Sequence, residues 1–179
     1  MLIFREKRRE KVTDYLIHMF QAEDLIRALN RDLVQIESKI IAPYNLTESK
    51  HHEMVDWYAN LVLMMEKEQK TGKGHLQFII NLINEVNEFH FRLVDSGTDT
   101  SYTEIYRTVA GLIRELRHKG ATGESDVEIA LTALYGFVLM NLKDQTISEE
   151  TRQAMRMISL WLDKLSEMFR LYESGDLEL

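Results

Sequence analysis

The chain has no cysteine and only one proline, Pro43, in 179 residues. The first absence excludes disulfides, thiol catalysis and cysteine-based zinc sites, and it fits a reducing compartment. The second leaves long stretches free to remain helical, since proline is the strongest helix breaker; residues 1–42 contain neither proline nor glycine. Long apolar runs are also missing. The longest unbroken run of apolar residues and glycine is Ala133–Met140, far short of the roughly 20 residues that span a bilayer. The opening Met-Leu-Ile-Phe runs straight into Arg5-Glu-Lys-Arg-Arg-Glu-Lys11. No apolar signal region follows, so the expectation is a cytoplasmic protein outside membranes.

Net positive charge is lacking as well. The formal charge is −7, which disfavours a general attraction to nucleic acid. The basic N-terminus, interleaved with Glu6 and Glu10, reads as a solvated helix end.

What is present is helical punctuation and helical spacing. Gly72, Gly74, Gly97, Gly120, Gly123 and Gly175 fall at boundaries. Between them the apolar residues recur at three and four. This predicts six helices, at about 5–41 (bent near Asn30), 48–70, 75–95, 102–118, 126–143 and 149–173. Ser101 with Glu104, and Ser125 with Glu128, have capping-box spacing, and Ser148 suits the N-cap of the last helix. The expected fold is all-α: one domain over residues 1–179, a mostly antiparallel six-helix bundle. The helix at 126–143 is apolar almost all round, which places it at the centre. The last helix carries a wide apolar arc. Its seam includes Ile158, Leu162 and Leu165. Beside the seam lie Met157, Leu160, Trp161, Met168 and Leu171, read as a homodimer surface.

Candidate chemistry centres on Gln21-Ala-Glu-Asp-Leu-Ile-Arg27. Glu23 sits at the edge of the first apolar stripe, and Arg27 follows at i+4, the favourable order for an ion pair. A carboxylate there could bind a cation or move a proton; a structural pair is the plainer reading, since charges near cores are usually paired. A speculative pocket joins Glu23, Arg27, His75 and Tyr135. His75 and His90 both lean toward the apolar face of the third helix, about 22 Å apart at roughly 1.5 Å per residue, too far to share a metal. Glu48-Ser-Lys-His51 and Glu115-Leu-Arg-His118 have the Glu-x-x-His spacing of di-iron bundles, but they sit at helix ends, so no metal and no cofactor is expected. Thr71-Gly-Lys-Gly74 lacks the spacing of a phosphate-binding loop. Arg107, Arg114, Arg117, His118 and Lys119 collect toward a helix C-terminus, where cations complement the dipole.

Four segments together, Gln21–Ala28, Lys73-Gly-His-Leu-Gln77, Ala133-Leu-Tyr-Gly136 and Ser148–Met155, are familiar. The chain resembles an uncharacterised family of Bacteroidetes bacteria, domain of unknown function 4924, over about residues 5–172. The resemblance implies a bacterial, cytoplasmic, all-helical protein and brings no activity or catalytic residues with it. The functional expectation is therefore a non-catalytic bundle that binds itself first and then an unidentified protein partner. The alternative is a small-ligand-binding or enzymatic bundle with a pocket near Glu23.

Overall fold

The structure is a computed structural model that describes residues 8–179. Arg5, Glu6 and Lys7 of the basic run, and the predicted helix start, lie outside the described residues. Every regular element among the described residues is helical: α1 (Val12–Ala28), α2 (Leu33–Ile36), a π-turn (Glu37–Ile41), a 3₁₀ turn (Ala42–Tyr44), α3 (Glu48–Lys67), α4 (Gln77–Ser96), α5 (Thr100–His118), α6 (Asp126–Leu142) and α7 (Glu149–Ser174). No helix among them is long and apolar enough to cross a membrane. The residues fall into two compact units. Unit 1 is His18–Asn81; unit 2 is Leu82–Leu179 with residues 8–17.

In unit 1 the long first helix breaks at Asn30 instead of bending. Asn30 and Arg31 both take left-handed backbone angles, with φ of 52° and 64°. Two such residues in a row cannot continue a right-handed helix. Asp32 then starts a new one, its side chain accepting from the Val34 N–H at 2.9 Å and the Gln35 N–H at 3.3 Å. The spacing across 5–41 continues the apolar stripe over this break, which is why periodicity alone reads one helix. Ile26, Ile36, Ile41, Leu61, Met65 and Ile79 form the interior of the unit.

In unit 2, α5 packs on α7, α6 packs on α7, and α5 meets α6. The start of α1 is fastened to α7 by polar groups. Ser166 Oγ accepts from the Thr13 N–H at 3.2 Å and lies 2.7 Å from Thr13 Oγ1. That satisfies a first-turn N–H that has no partner within its own helix. Lys11 Nζ lies 2.7 Å from the Asp163 carboxylate.

Two sequence expectations change here. Ser101 and Glu104 do not cap α5. Asp99 does, accepting from the Tyr102 N–H at 2.9 Å, and the helix begins at Thr100. Ser125 and Ser148 do cap α6 and α7. The second change concerns α6. It is buried at Val127, Ile129, Ala130 and Leu131, but Val138 is 40% and Leu142 69% exposed. Only its first half is interior, because the cover over the Val127–Leu131–Leu134–Val138–Leu142 stripe ends before the stripe does.

The two capping assignments for α5 make opposite demands. Asp99→Ala is expected to cost about 1 kcal/mol and Ser101→Ala less than about 0.5 kcal/mol, measured as shifts in urea midpoint at constant m-value. Equal costs would show that the cap is shared.

Candidate functional site

Helix α4 begins without a capping side chain of its own. Leu76 accepts the first helical bonds, from the Ile79 N–H at 3.0 Å and the Ile80 N–H at 3.2 Å. It stands where an Asp or Ser would normally serve. Two carboxylates from elsewhere in unit 1 supply the missing acceptors. Glu23 Oε1, from α1, accepts the Leu76 N–H at 2.8 Å, and Glu68 Oε2 accepts the Gln77 N–H at 2.7 Å. Negative charge at this end also complements the α4 dipole.

Glu23 is completely buried. Its second oxygen, Oε2, lies 2.5 Å from His75 Nδ1. The His75 ring stacks on Phe20 at 4.0 Å between centroids, tilted by 21°. Its side chain remains 28% exposed. Both Glu23 oxygens are thus engaged, one by backbone and one by imidazole.

Arg27 does not pair with Glu23. Its Nη1 donates to Asp24 Oδ1 at 3.0 Å. Its Nε and Nη2 donate to the Lys70 carbonyl at 3.2 and 3.1 Å, and Nη2 also donates to the Gly74 carbonyl. The planar fork of the guanidinium suits this convergent work. Gly74 has φ of +79°, a left-handed conformation that glycine adopts without strain. Together, Glu23 and Arg27 clamp the 68–76 connection between α3 and α4.

The structure therefore brings Glu23, Arg27 and His75 together within unit 1, while Tyr135 lies half-buried on α6 in unit 2. A buried carboxylate that orients a half-exposed imidazole is the orienting half of a general-base arrangement. A nucleophile would have to meet the other ring nitrogen, and among the described residues no hydroxyl is hydrogen-bonded to His75. No group of three or more His, Asp and Glu that could hold a metal ion is found among them either. Of the Glu-x-x-His pairs, Glu48, Glu115 and His118 are exposed, and His51 Nε2 lies 3.5 Å from Glu37.

The surface residues expected on α7 divide. Trp161 is fully buried and Met168 nearly so, so both belong to the interior of unit 2. The Trp161 indole N–H donates to Tyr102 Oη at 3.0 Å, a reason for it to turn inward. Leu160 is 49% exposed, and Met157 and Leu171 are half-buried.

Two features escape the sequence. One is a cavity of about 300 Å³ in unit 2 between the second half of α5 and the start of α7. Leu112, Leu116, Ala154, Met155 and Ile158 line it, with Thr108, Glu115, Lys119, Glu150 and Gln153 among its polar lining residues. That volume is at the small end for ligand pockets. Lys119 is held by Glu115 at 2.6 Å, and Arg117 by Asp126 at 3.0 Å, so these two cations of the basic cluster have acidic partners. The other feature is a buried aromatic cluster around His90, whose Nδ1 lies 2.5 Å from Tyr102 Oη. The spacing of His90 on the apolar face of α4 was its only visible sign.

The clamp gives a graded expectation. Glu23→Ala leaves the Leu76 N–H and His75 without their partner and is expected to destabilise by about 3 kcal/mol. Glu23→Gln keeps one acceptor oxygen for Leu76 and is expected to cost less. Urea unfolding measures both; a cost for Glu23→Ala below about 0.5 kcal/mol would refute the capping role.

Comparison with curated proteins and with solved structures finds no match. A family model described as domain of unknown function (DUF4924) matches residues 1–176. Nearly the whole chain is covered, and the chain belongs to the domain of unknown function 4924 family.

Proposed function

We propose that this is a non-catalytic, cytoplasmic, single-domain helical bundle protein that acts by binding: first a second copy of itself, as a homodimer, then a protein partner. The observation that carries the reading is the second half of α6. From Ile129 to Leu142 the helix has no charged residue. Val138 and Leu142 nevertheless stand 40% and 69% exposed. Leaving uncharged helix in water forgoes the hydrophobic stabilisation that its first half obtains, and association would recover it. Leu160, 49% exposed on α7, adds apolar surface to the same unit.

The engagement of Glu23 points the same way. Both of its oxygens already serve the fold, which weighs against the alternative of a ligand-binding or enzymatic site centred there. The small apolar cavity between α5 and α7 is the feature that favours a ligand reading, and it lies in the other unit.

The test is molar mass against concentration. Light scattering of the full chain is expected to show a dimer at micromolar concentration. Val138→Glu with Leu142→Glu is expected to give a monomer of unchanged helicity, because a buried unpaired charge costs an interface several kcal/mol. A monomer for the unsubstituted chain throughout the micromolar range would remove self-association from the reading.

A further inference from the structure

His90 is completely buried in unit 2, and the groups around it determine where its proton sits. The Trp161 indole nitrogen can only donate, and it donates to Tyr102 Oη at 3.0 Å. Burial pushes the Tyr102 phenol far upward, opposed by the Trp161 hydrogen bond and assisted by Tyr106. Tyr102 is therefore a neutral phenol with one hydrogen to give. Its remaining partner is His90 Nδ1, at 2.5 Å. Nδ1 must accept, so the single ring hydrogen belongs on Nε2.

We propose that this one-way chain, Trp161 to Tyr102 to His90, is an acid-sensitive lock in unit 2: it holds the buried imidazole as the neutral Nε2–H tautomer and loosens when the ring takes up a second proton. A protonated ring donates from both nitrogens. Tyr102 Oη would then receive two donors, and its own hydrogen would lose the acceptor it now has.

Among the described residues, no carboxylate is hydrogen-bonded to the ring. From α5, Tyr102 and Tyr106 face the ring, with Tyr106 in an edge contact at 4.3 Å between centroids. From α7, Trp161 meets it edge-on at 5.2 Å. On α4 itself, Phe91 packs beside it. The acid that acts on the ring is Asp126 of α6, already engaged by the Tyr106 hydroxyl at 2.8 Å and by Arg117 at 3.0 Å. His90 Nε2 has no hydrogen-bond acceptor. Three residues earlier on α4, the Asn87 side-chain oxygen is likewise buried without a hydrogen-bond partner. Aromatic faces attract a cation, but burial outweighs them. It pushes the imidazole down to about 4, against a smaller upward pull from Asp126.

The sign follows from linkage. The unfolded chain binds this proton near the ordinary 6.5. The neutral ring's contribution to stability is therefore complete above that pH and is lost as the pH falls through about 4.

The test uses the full chain labelled with ¹⁵N-histidine. The nitrogen spectrum of His90, assigned by loss of its signals in His90→Phe or by through-bond connection to its backbone, is expected to show a bare Nδ1 and a protonated Nε2. No change is expected between pH 7.5 and 5. In urea unfolding at pH 7.5 and 4.5, the unsubstituted chain is expected to lose on the order of 100-fold more in its folding constant than His90→Phe. If His90→Phe does not fold, the nitrogen spectrum of the unsubstituted chain decides alone. A protonated Nδ1 in the neutral ring, titration near 6.5 in the folded chain, or equal pH losses in the two proteins would overturn the proposal.

Discussion

A carboxylate with no exposure to water must be satisfied by the protein, and in unit 1 that carboxylate is Glu23. Much of the unit's polar architecture follows from it. The residue at the cap position before α4 is a leucine, Leu76, whose side chain cannot accept a hydrogen bond. Glu23 replaces the missing cap from another helix and so fixes where α4 begins relative to α1. His75 partners the second oxygen and rests on Phe20. Arg27, one turn further along α1, ties down the carbonyls of the same connection. Two neighbouring residues of α1 thus serve opposite polarities: a carboxylate takes N–H groups, and a guanidinium takes carbonyls.

Unit 2 meets the same constraint with neutral groups. His90, Tyr102 and Trp161 are buried together, and their donors and acceptors match in only one order. A buried neutral chain avoids the large desolvation cost of a buried ion. It also depends on each proton being in place, so it is conditional on pH where the Thr13–Ser166 contact between α1 and α7 is not.

Most helices were legible because their determinants are local. Apolar residues spaced at three and four, and the caps Ser125 and Ser148, lie within a few residues of the structure they specify. Where the determinant was tertiary, spacing misled. The stripe through Asn30 crosses a break, since periodicity does not register two left-handed residues. The α7 arc could not be divided into interior and surface, because Trp161 turns inward toward Tyr102, 59 positions away in the chain. Likewise the all-apolar character of α6 marks a helix that avoids water, not how far its cover extends.

For the candidate site, the sequence alone singled out Glu23, Arg27, His75 and Tyr135, of which Tyr135 lies on α6 in unit 2, apart from the other three. It also excluded disulfides, through its lack of cysteine, and left long proline-free stretches in which helical spacing could run on. Which partner each charge takes was decided only by tertiary structure. Spacing proposed Glu23 with Arg27 at i+4, a surface interaction of a few tenths of a kcal/mol. The fold instead presents Glu23 with a buried backbone N–H and an imidazole. Leaving those unpaired would cost far more than an exposed ion pair returns. The larger penalty sets the pairing, and it exists only once α1, α4 and the connection between α3 and α4 have come together.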